Sequence, residues 1–462
     1  MAKIRLVFLI IFLFCFSLFI DSKLQKKDFN LLIISIDSLR PDHLKIYGYD
    51  RETYPTLYQY SQNASVFTNS YTQVPQTTSS FQALMTGRDP FKTGQLMLAK
   101  KLPTNIGPTI AEIFKNKGYL TAAFYSNHFL ADNLSGLKKG FDVYDYINYQ
   151  YQNICAAYEN KKTKQAKWGD SVVQKAVDWL KDNHHKKFML WVHFNDVHLP
   201  YNFPNENKSF SHLTNSQIDD LFSFIFFGKL TPSANVFKKP SITENLMNAY
   251  DDKIRFVDDQ IKTILKKMNE YGINDKTIVV IHSDHGEGFD HGKVLYHSSN
   301  IYNSALRVAL IIKDPLNRVP KEINLPVTLT NIFSFLINLT NSKYKYTEII
   351  NNNKNIYYST DQSPPYVSCS NKITKPANKY ATVDFPYKLI YHLNENNPQE
   401  NDFELYNLYN DPKEEKDIKM TETKILNNLK SKLLSFITRH QKQVNSTESN
   451  QNVSNTLKSL GY

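Results

Sequence analysis

The sequence predicts an α/β fold, with a sheet of buried strands covered by helices on both faces. Three observations carry this. Short apolar runs, Asn30 to Ile36 (NLLIISI) and Ile278 to Ile281, lack the polar alternation of a half-solvated strand and read as buried on both sides. Amphipathic stretches alternate with them, among them Asp170 to Leu180 and Asn248 to Met268. The strand-like runs end in carboxylates and imidazoles, and in open α/β sheets the carboxyl ends of strands are where sites are built.

At 462 residues the chain exceeds one small core, so a large domain with a smaller appendage is expected. The formal net charge of +11 is spread over scattered lysines without a nucleic-acid motif, so no nucleic-acid partner is expected. Residues 1–27 stand apart from the fold. Lys3 and Arg5 precede the apolar run Leu6 to Ile20, which Asp21-Ser22-Lys23 ends. The run is shorter than the roughly 20 residues of a usual spanning helix. It reads as a signal peptide or an uncleaved membrane anchor through residues 6–20. The protein is therefore expected to be exported: periplasmic, extracellular or membrane-anchored facing outward. Cys155 and Cys369 read as free buried thiols or as one disulfide, and no Cys-x-x-Cys occurs.

Taken in order, Asn30 to Ile36 is the first strand, ending at Asp37. Thr77-Thr78-Ser79-Ser80 offers N-caps for a short helix to about Met85, and a helix N-terminus favours an anion. Thr109 to Lys117 is helical with Gly118 as its stop, and Tyr119 to Tyr125 is a strand ending at Ser126-Asn127-His128. The polar stretch Asn148 to Trp168 is a surface excursion. Phe188 to Val192 is a strand followed by His193, Asp196 and His198, and residues 202–245 form a lid or insertion. The strand at Ile278 leads into Ser283-Asp284-His285-Gly286, with His291 and His297 beyond. A carboxylate beside an imidazole at a strand end is a good pair of metal ligands. Leu306 to Ile312 is a further strand, Leu325 to Leu339 a helix, and Leu426 to Ile437 the last helix.

These motifs resemble the sulfatase branch of the alkaline-phosphatase superfamily along most of residues 30 to 418. The carrying residues are Ile34 to Leu44, Leu84 to Arg88, Gly140-Phe141-Asp142, His193 to Tyr201, Ser283 to Glu287, Arg307-Val308 and, near the end, Glu404 to Leu408 with Asn410-Asp411-Pro412. The resemblance implies an alkaline-phosphatase-like three-layer sandwich with a large, mostly parallel sheet plus a small C-terminal α+β subdomain. The corresponding divisions are a catalytic domain over 28–342, a subdomain over 343–440 and a disordered tail over 441–462. It also implies one divalent metal ion (Ca2+, Mn2+ or Zn2+) held by Asp37, Asp284 and His285, with the nucleophile Thr77 completing the shell. His198 and His297 would face the substrate, and His128 matches an active-site histidine of the family. A second metal on Asp196 and His198 is the lesser alternative, and His193 and His291 stay unassigned.

The departures bear on chemistry. Where active sulfatases carry the Cys or Ser that becomes formylglycine, this chain has Thr77. Ser79 replaces the proline and Phe81 the arginine of that signature, Ser126 replaces a lysine, and Ser38 replaces the second carboxylate of an Asp pair. Threonine cannot become formylglycine. The expectation is a metal-dependent hydrolase that cleaves a phosphate or sulfate ester through a covalent Thr77 intermediate, with phosphate favoured. The alternatives are a membrane-anchored phosphotransferase of the phosphoethanolamine or phosphoglycerol type, and a sulfatase-like binding protein without activity. In each case the partner is an anionic ester.

Overall fold

The computed structural model describes residues 28–147, 168–199, 201, 208–214, 216–218, 242–289, 297–346, 356–360, 366–367, 373–374, 379–393 and 402–444. Residues 1–27, His291, the three cysteines, most of the 148–168 excursion, most of the 202–245 insertion and the tail beyond 444 lie outside them. Among the described residues no helix is long and apolar enough to cross a membrane.

The strands are β1 Asn30–Ile36, β2 Ser65–Phe67, β3 Ser70–Tyr71, β4 Leu120–Tyr125, β5 Val143–Tyr146, β6 Phe188–Phe194, β7 Thr277–Ser283, β8 Leu310–Lys313, β9 Glu322–Ile323, β10 Val327–Thr328, β11 Ile356–Ser359, β12 Tyr366–Val367, β13 Ile373–Thr374, β14 Lys379–Asp384, β15 Tyr387–His392 and β16 Asp402–Asn407. The main helices are α1 Thr77–Thr86, α2 Ile110–Asn116, α3 Trp168–Asn183, α4 Ile242–Glu270, α5 Leu329–Leu339 and α6 Thr423–Val444.

An eight-stranded sheet runs β5-β4-β6-β1-β7-β8-β2-β9. From β5 to β7 every pairing is parallel, and β8 is antiparallel to both of its neighbours. The unbroken apolar runs are explained by this placement. Leu31 and Ile33 of β1 join Met189, Trp191, Ile278 and Val280 in one core, with Phe81, Phe114 and Phe335 from α1, α2 and α5. Leu32, Ile34 and Ile36 join Leu190, Val192, Phe194, Val279 and Ile281 in the other, with Ala176 and Leu180 of α3 and Ile254 and Ile261 of α4. Successive residues of one strand thus enter opposite cores, each buried side chain contributing about 1.5–3 kcal/mol. This is the expected three-layer sandwich.

Two expected elements are redrawn. Residues 303–306 form a helical turn, and the strand begins only at Leu310. Arg307 sends Nε and Nη2 to the Thr68 carbonyl (3.0 and 2.7 Å), and the Val308 amide donates to Ser70 O (2.9 Å), which holds this segment off the main sheet. The helix expected from Leu325 starts at Leu329, because Thr328 and Asn331 form a reciprocal cap while Val327–Thr328 pairs with Ser70–Tyr71.

Strands β11, β14, β15 and β16 build a small antiparallel sheet. One face packs Tyr358, Val383 and Ile390 on Tyr71, Ile301 and Leu306, and the other packs Leu389 and Leu405 under Leu433 and Phe436 of α6. Its seam to the large sheet is polar as well. Buried Lys388 meets Glu414 Oε1 at 2.6 Å, and Glu414 accepts the Asn303 amide at 2.5 Å. Glu404 accepts hydrogen bonds from Tyr302 (2.8 Å), Tyr406 (2.7 Å) and His392 (2.7 Å). Burial alone would raise its pKa, but these bonds hold it at about 2. A depressed carboxylate stabilises above its ordinary pKa of 4.5 and loses that contribution as pH falls toward 2. Glu404→Gln should therefore cost about 1–2 kcal/mol at neutral pH after solvent screening. Thermal melts of variant and wild type should converge as the pH drops through that window.

Candidate active site

Parallel register assembles the site. Ile36 of β1 lies beside Ser283 of β7 and Phe194 of β6, so the residues that follow emerge at one level on the sheet's carboxyl edge. Asp37, Asp284 and His285 meet there, fully buried, with one ligand atom of each within 4.8 Å of the others. His285 Nε2 lies 3.4 Å from Asp284 Oδ2 and 3.7 Å from Asp37 Oδ1. Thr77, at the first turn of α1, places Oγ1 3.3 Å from the same Nε2. Gly286 lets this loop pass the 303–306 turn, since a Cβ there would sit 1.9 Å from the Ser304 carbonyl.

The donors around the cluster define its empty side. The Asp284 Oδ1 accepts the Ser38 and His285 amides (3.1 and 2.9 Å), whereas its Oδ2 has no hydrogen-bond donor among the described residues. The His285 Nδ1–H donates to the Gly286 carbonyl (2.9 Å), which leaves the Nε2 lone pair toward the carboxylates. Asp37 Oδ2 accepts from Asn127 Nδ2 (2.6 Å) and lies 3.4 Å from His193 Nε2, and Asp37 Oδ1 accepts from Ser38 Oγ (3.0 Å). Burial and the charge of Asp37 push Asp284 well above the usual carboxylate range. Burial works against Asp37 too, but the His193 contact and the surrounding imidazoles hold it below that range. Burial lowers the His285 pKa, against the opposing pull of the Asp37 charge. Two buried carboxylate oxygens and an imidazole lone pair converging on one point fit a divalent cation.

Next to the cluster, the His297 ring stacks on His285 (centroids 4.1 Å, 24°) and meets His198 edge-on (5.1 Å, 73°). The structure thus brings together Thr77, His198, His297 and the three ligands. Burial lowers His198, but Asp37 and Glu287 outweigh it and its pKa is raised. His297 is driven well down by burial and by the two neighbouring imidazoles. His128 opens a short 3-10 turn beside α1; it is exposed and its ring neighbours are Phe129 and Tyr146. Asp196 is engaged elsewhere: its Oδ1 accepts the Gly169 amide (3.2 Å), and Lys253 supplies its opposing charge. A second metal on Asp196 and His198 gains no support from this arrangement.

The departures acquire local roles. Ser38, at φ 58°, donates its hydroxyl to Asp37 and its amide to Asp284, while its carbonyl accepts Tyr250 Oη–H (2.7 Å). Ser126 Oγ accepts the Asn195 amide (3.1 Å) and so ties two strand-end loops. Phe81 is buried against Trp191 and His193 (4.9 Å each), an aromatic block beneath the site. Sequence reasoning missed Asn127 and the part played by Glu287. Asn127 carried only the weak signal of a carboxamide at a strand end. Glu287 lies inside the Ser283–Glu287 motif; its Oε1 is 3.2 Å from His297 Nδ1, and burial raises its pKa to about 7 against the pull of His198 and His285.

The chain is similar to known proteins in sequence and in fold. The Sulfatase family profile matches residues 29–342. The chain is 26% identical over 333 residues to the ulvan-active sulfatase of Formosa agariphila, covering 68% of this chain and 62% of that protein. It thus spans less than two thirds of that relative's length. Among solved structures, a protein in complex with its substrate D-glucosamine-2-N,6-O-disulfate superposes with a TM-score of 0.67 at 17% identity, over 92% of this chain and 99% of that one. The phosphonate monoester hydrolase of Agrobacterium radiobacter gives a TM-score of 0.64 at 16% identity, over 89% of this chain and 96% of that one. These likenesses show the fold. With the profile matched across the whole large sheet and the Asp37, Asp284 and His285 cluster, the chain belongs to the sulfatase family of the alkaline-phosphatase superfamily.

Proposed function

We propose that the protein is a metal-dependent ester hydrolase that uses Thr77 as nucleophile and favours phosphate esters over sulfate esters. The observation that carries this is Thr77 Oγ1 at 3.3 Å from His285 Nε2, beside the buried carboxylates. Asp37, Asp284 and His285 would hold a divalent cation, which when bound neutralises substrate charge and lowers the pKa of an adjacent hydroxyl. The first turn of α1 offers its positive end to the ester's oxyanions. Thr77 Oγ1 attacks in line, and His198, the imidazole with the raised pKa, protonates the leaving oxygen. His128 is kept as an outer contact for the leaving group, since it lies at the exposed rim.

The preference for phosphate rests on Thr77. A single hydroxyl forms an ester that only attack at the central atom can cleave, and phosphorus accepts such attack readily. The sulfate reading is favoured by the family itself. Nitrophenyl phosphate, bis-nitrophenyl phosphate and nitrophenyl sulfate, offered to the purified protein, separate the two. Turnover of the sulfate alone would sink the phosphate preference.

Manganese or zinc suits the site better than calcium. An imidazole stands among the ligands, and Ser38 takes the place of a further carboxylate, whereas calcium prefers six to eight oxygens. Calorimetric titration is expected to give Mn2+ or Zn2+ at least tenfold tighter binding than Ca2+. Export, supported by Lys3, Arg5 and the run Leu6 to Ile20, belongs to the same proposal, as does a division into catalytic (28–342) and C-terminal (343–440) units.

A further inference from the structure

A threonyl ester must be opened before the next turnover. Thr77 has one side-chain oxygen, so no second hydroxyl can expel the bound group from within. Water must attack the phosphorus, and something must take its proton. Three buried or half-buried imidazoles stand close together, and their Nδ1 partners differ. His285 gives its Nδ1–H to the Gly286 carbonyl (2.9 Å), and its Nε2 belongs to the ligand cluster. His198 gives its own to the Leu199 carbonyl (2.7 Å). Only His297, among these three, has its Nδ1 on a carboxylate, Glu287 Oε1 at 3.2 Å. A carbonyl orients an imidazole, whereas a carboxylate also stabilises the imidazolium that forms when the ring takes a proton.

We infer that His297 is the general base that activates water to release the group held on Thr77, and that Glu287 is its positioning residue. The inference rests on the proposed role of Thr77. Glu287 is fully buried, and hydrogen bonds hold its carboxyl group in place. Its Oε1 takes the Gly288 amide (3.1 Å), its Oε2 takes the Tyr201 hydroxyl (3.5 Å), and Arg40 Nη1 anchors its main-chain carbonyl (3.1 Å). In the tautomer whose Nδ1–H meets Glu287 Oε1, Nε2 is the acceptor nitrogen of His297. The ring lies flat over His285, the residue that Thr77 Oγ1 touches. In the step, a water oxygen bonds to phosphorus and its proton passes to His297 Nε2. The bond from phosphorus to Thr77 Oγ1 breaks, Thr77 Oγ1 takes a proton from solvent, and His297 returns its own to solvent. The products are inorganic phosphate and the starting hydroxyl.

Rapid-quench kinetics on nitrophenyl phosphate test this, with peptide mass mapping of the quenched protein and cation titration to verify the site in each variant. His297→Gln is expected to release about one equivalent of nitrophenol in a burst, then turn over about 10²–10³-fold more slowly. An adduct should accumulate on the peptide that carries Thr77. Glu287→Gln should show the same pattern with a milder loss, about 10–100-fold. A structural role would not produce a burst or an adduct. If turnover requires Thr77 but His297→Gln shows neither burst nor adduct, the inference is overturned and the nucleophile stands. If turnover survives Thr77→Ala, the nucleophile reading fails and this inference with it.

Discussion

Thr77→Ala is expected to lower kcat/KM on the preferred nitrophenyl ester by about 10⁴-fold or more, the scale seen when a covalent nucleophile is removed. The same change should leave the fold intact, with the cation still held, more weakly, by Asp37, Asp284 and His285. The side chain is small, and the ligand atoms of Asp37, Asp284 and His285 do not depend on it. The position does matter sterically, because Thr77 is 4% exposed at the start of a helix buried along its whole length. Thr77→Ser keeps the oxygen and sheds one methyl group, so it should retain activity to within about tenfold. A Thr77→Ala protein that binds cation and still turns over would remove Thr77 from the chemistry.

Asp284→Asn should abolish cation binding and, with it, activity by at least about 10³-fold. The geometry makes this substitution close to isosteric. The Ser38 and His285 amides both donate to Oδ1, so the amide oxygen takes that place and the NH2 group replaces Oδ2. That NH2 then points at His285 Nε2, 3.4 Å from the present Oδ2, and fills the cation's position with protons. The stability effect has the opposite sign. Asp284 is pushed well above its ordinary pKa by burial and by Asp37, so its ionised form destabilises the metal-free fold. Metal-free Asp284→Asn should melt above metal-free wild type at neutral pH. Added cation at 100 times its Kd should stabilise wild type by about 2.7 kcal/mol and the variant not at all. Equal cation-induced shifts in both proteins would place the metal elsewhere.

The two effects depend on different parts of the chain, and the parts were unequally legible. Buried strands carry their own signal. Asn30 to Ile36, Phe188 to Val192 and Ile278 to Ile281 have no polar face, and all three lie at the centre of the large sheet. The boundaries that slipped did so for tertiary reasons. Residues 306–309 are apolar enough for a strand, yet Arg307 and Val308 are bound to Thr68 and Ser70. Neither partner is near in sequence, so no local window registers them. The same holds at Leu329, where pairing of Val327–Thr328 with Ser70–Tyr71 delays the helix.

Among functional groups, the dense motif from Ser283 to Glu287 and the carboxylate after the first strand were readable because chemistry-bearing residues follow strand-like runs there. Their division of labour was not readable. Whether an imidazole binds a metal, donates a proton or accepts one depends on what its second nitrogen touches. His285 touches a carbonyl one residue away, His198 does likewise, and His297 touches Glu287, 10 residues away in sequence. Asp196 shows the converse: adjacent in sequence to other candidate ligands, it was drawn off by Gly169 and Lys253. Hydrophobic pattern acts through solvent and is written locally, so the layers and the strand ends could be read from the chain alone. Hydrogen-bond partners and shared charge act over a few ångströms between residues as much as 263 positions apart, and 246 and 247 apart at the site itself, so only the folded structure assigned them.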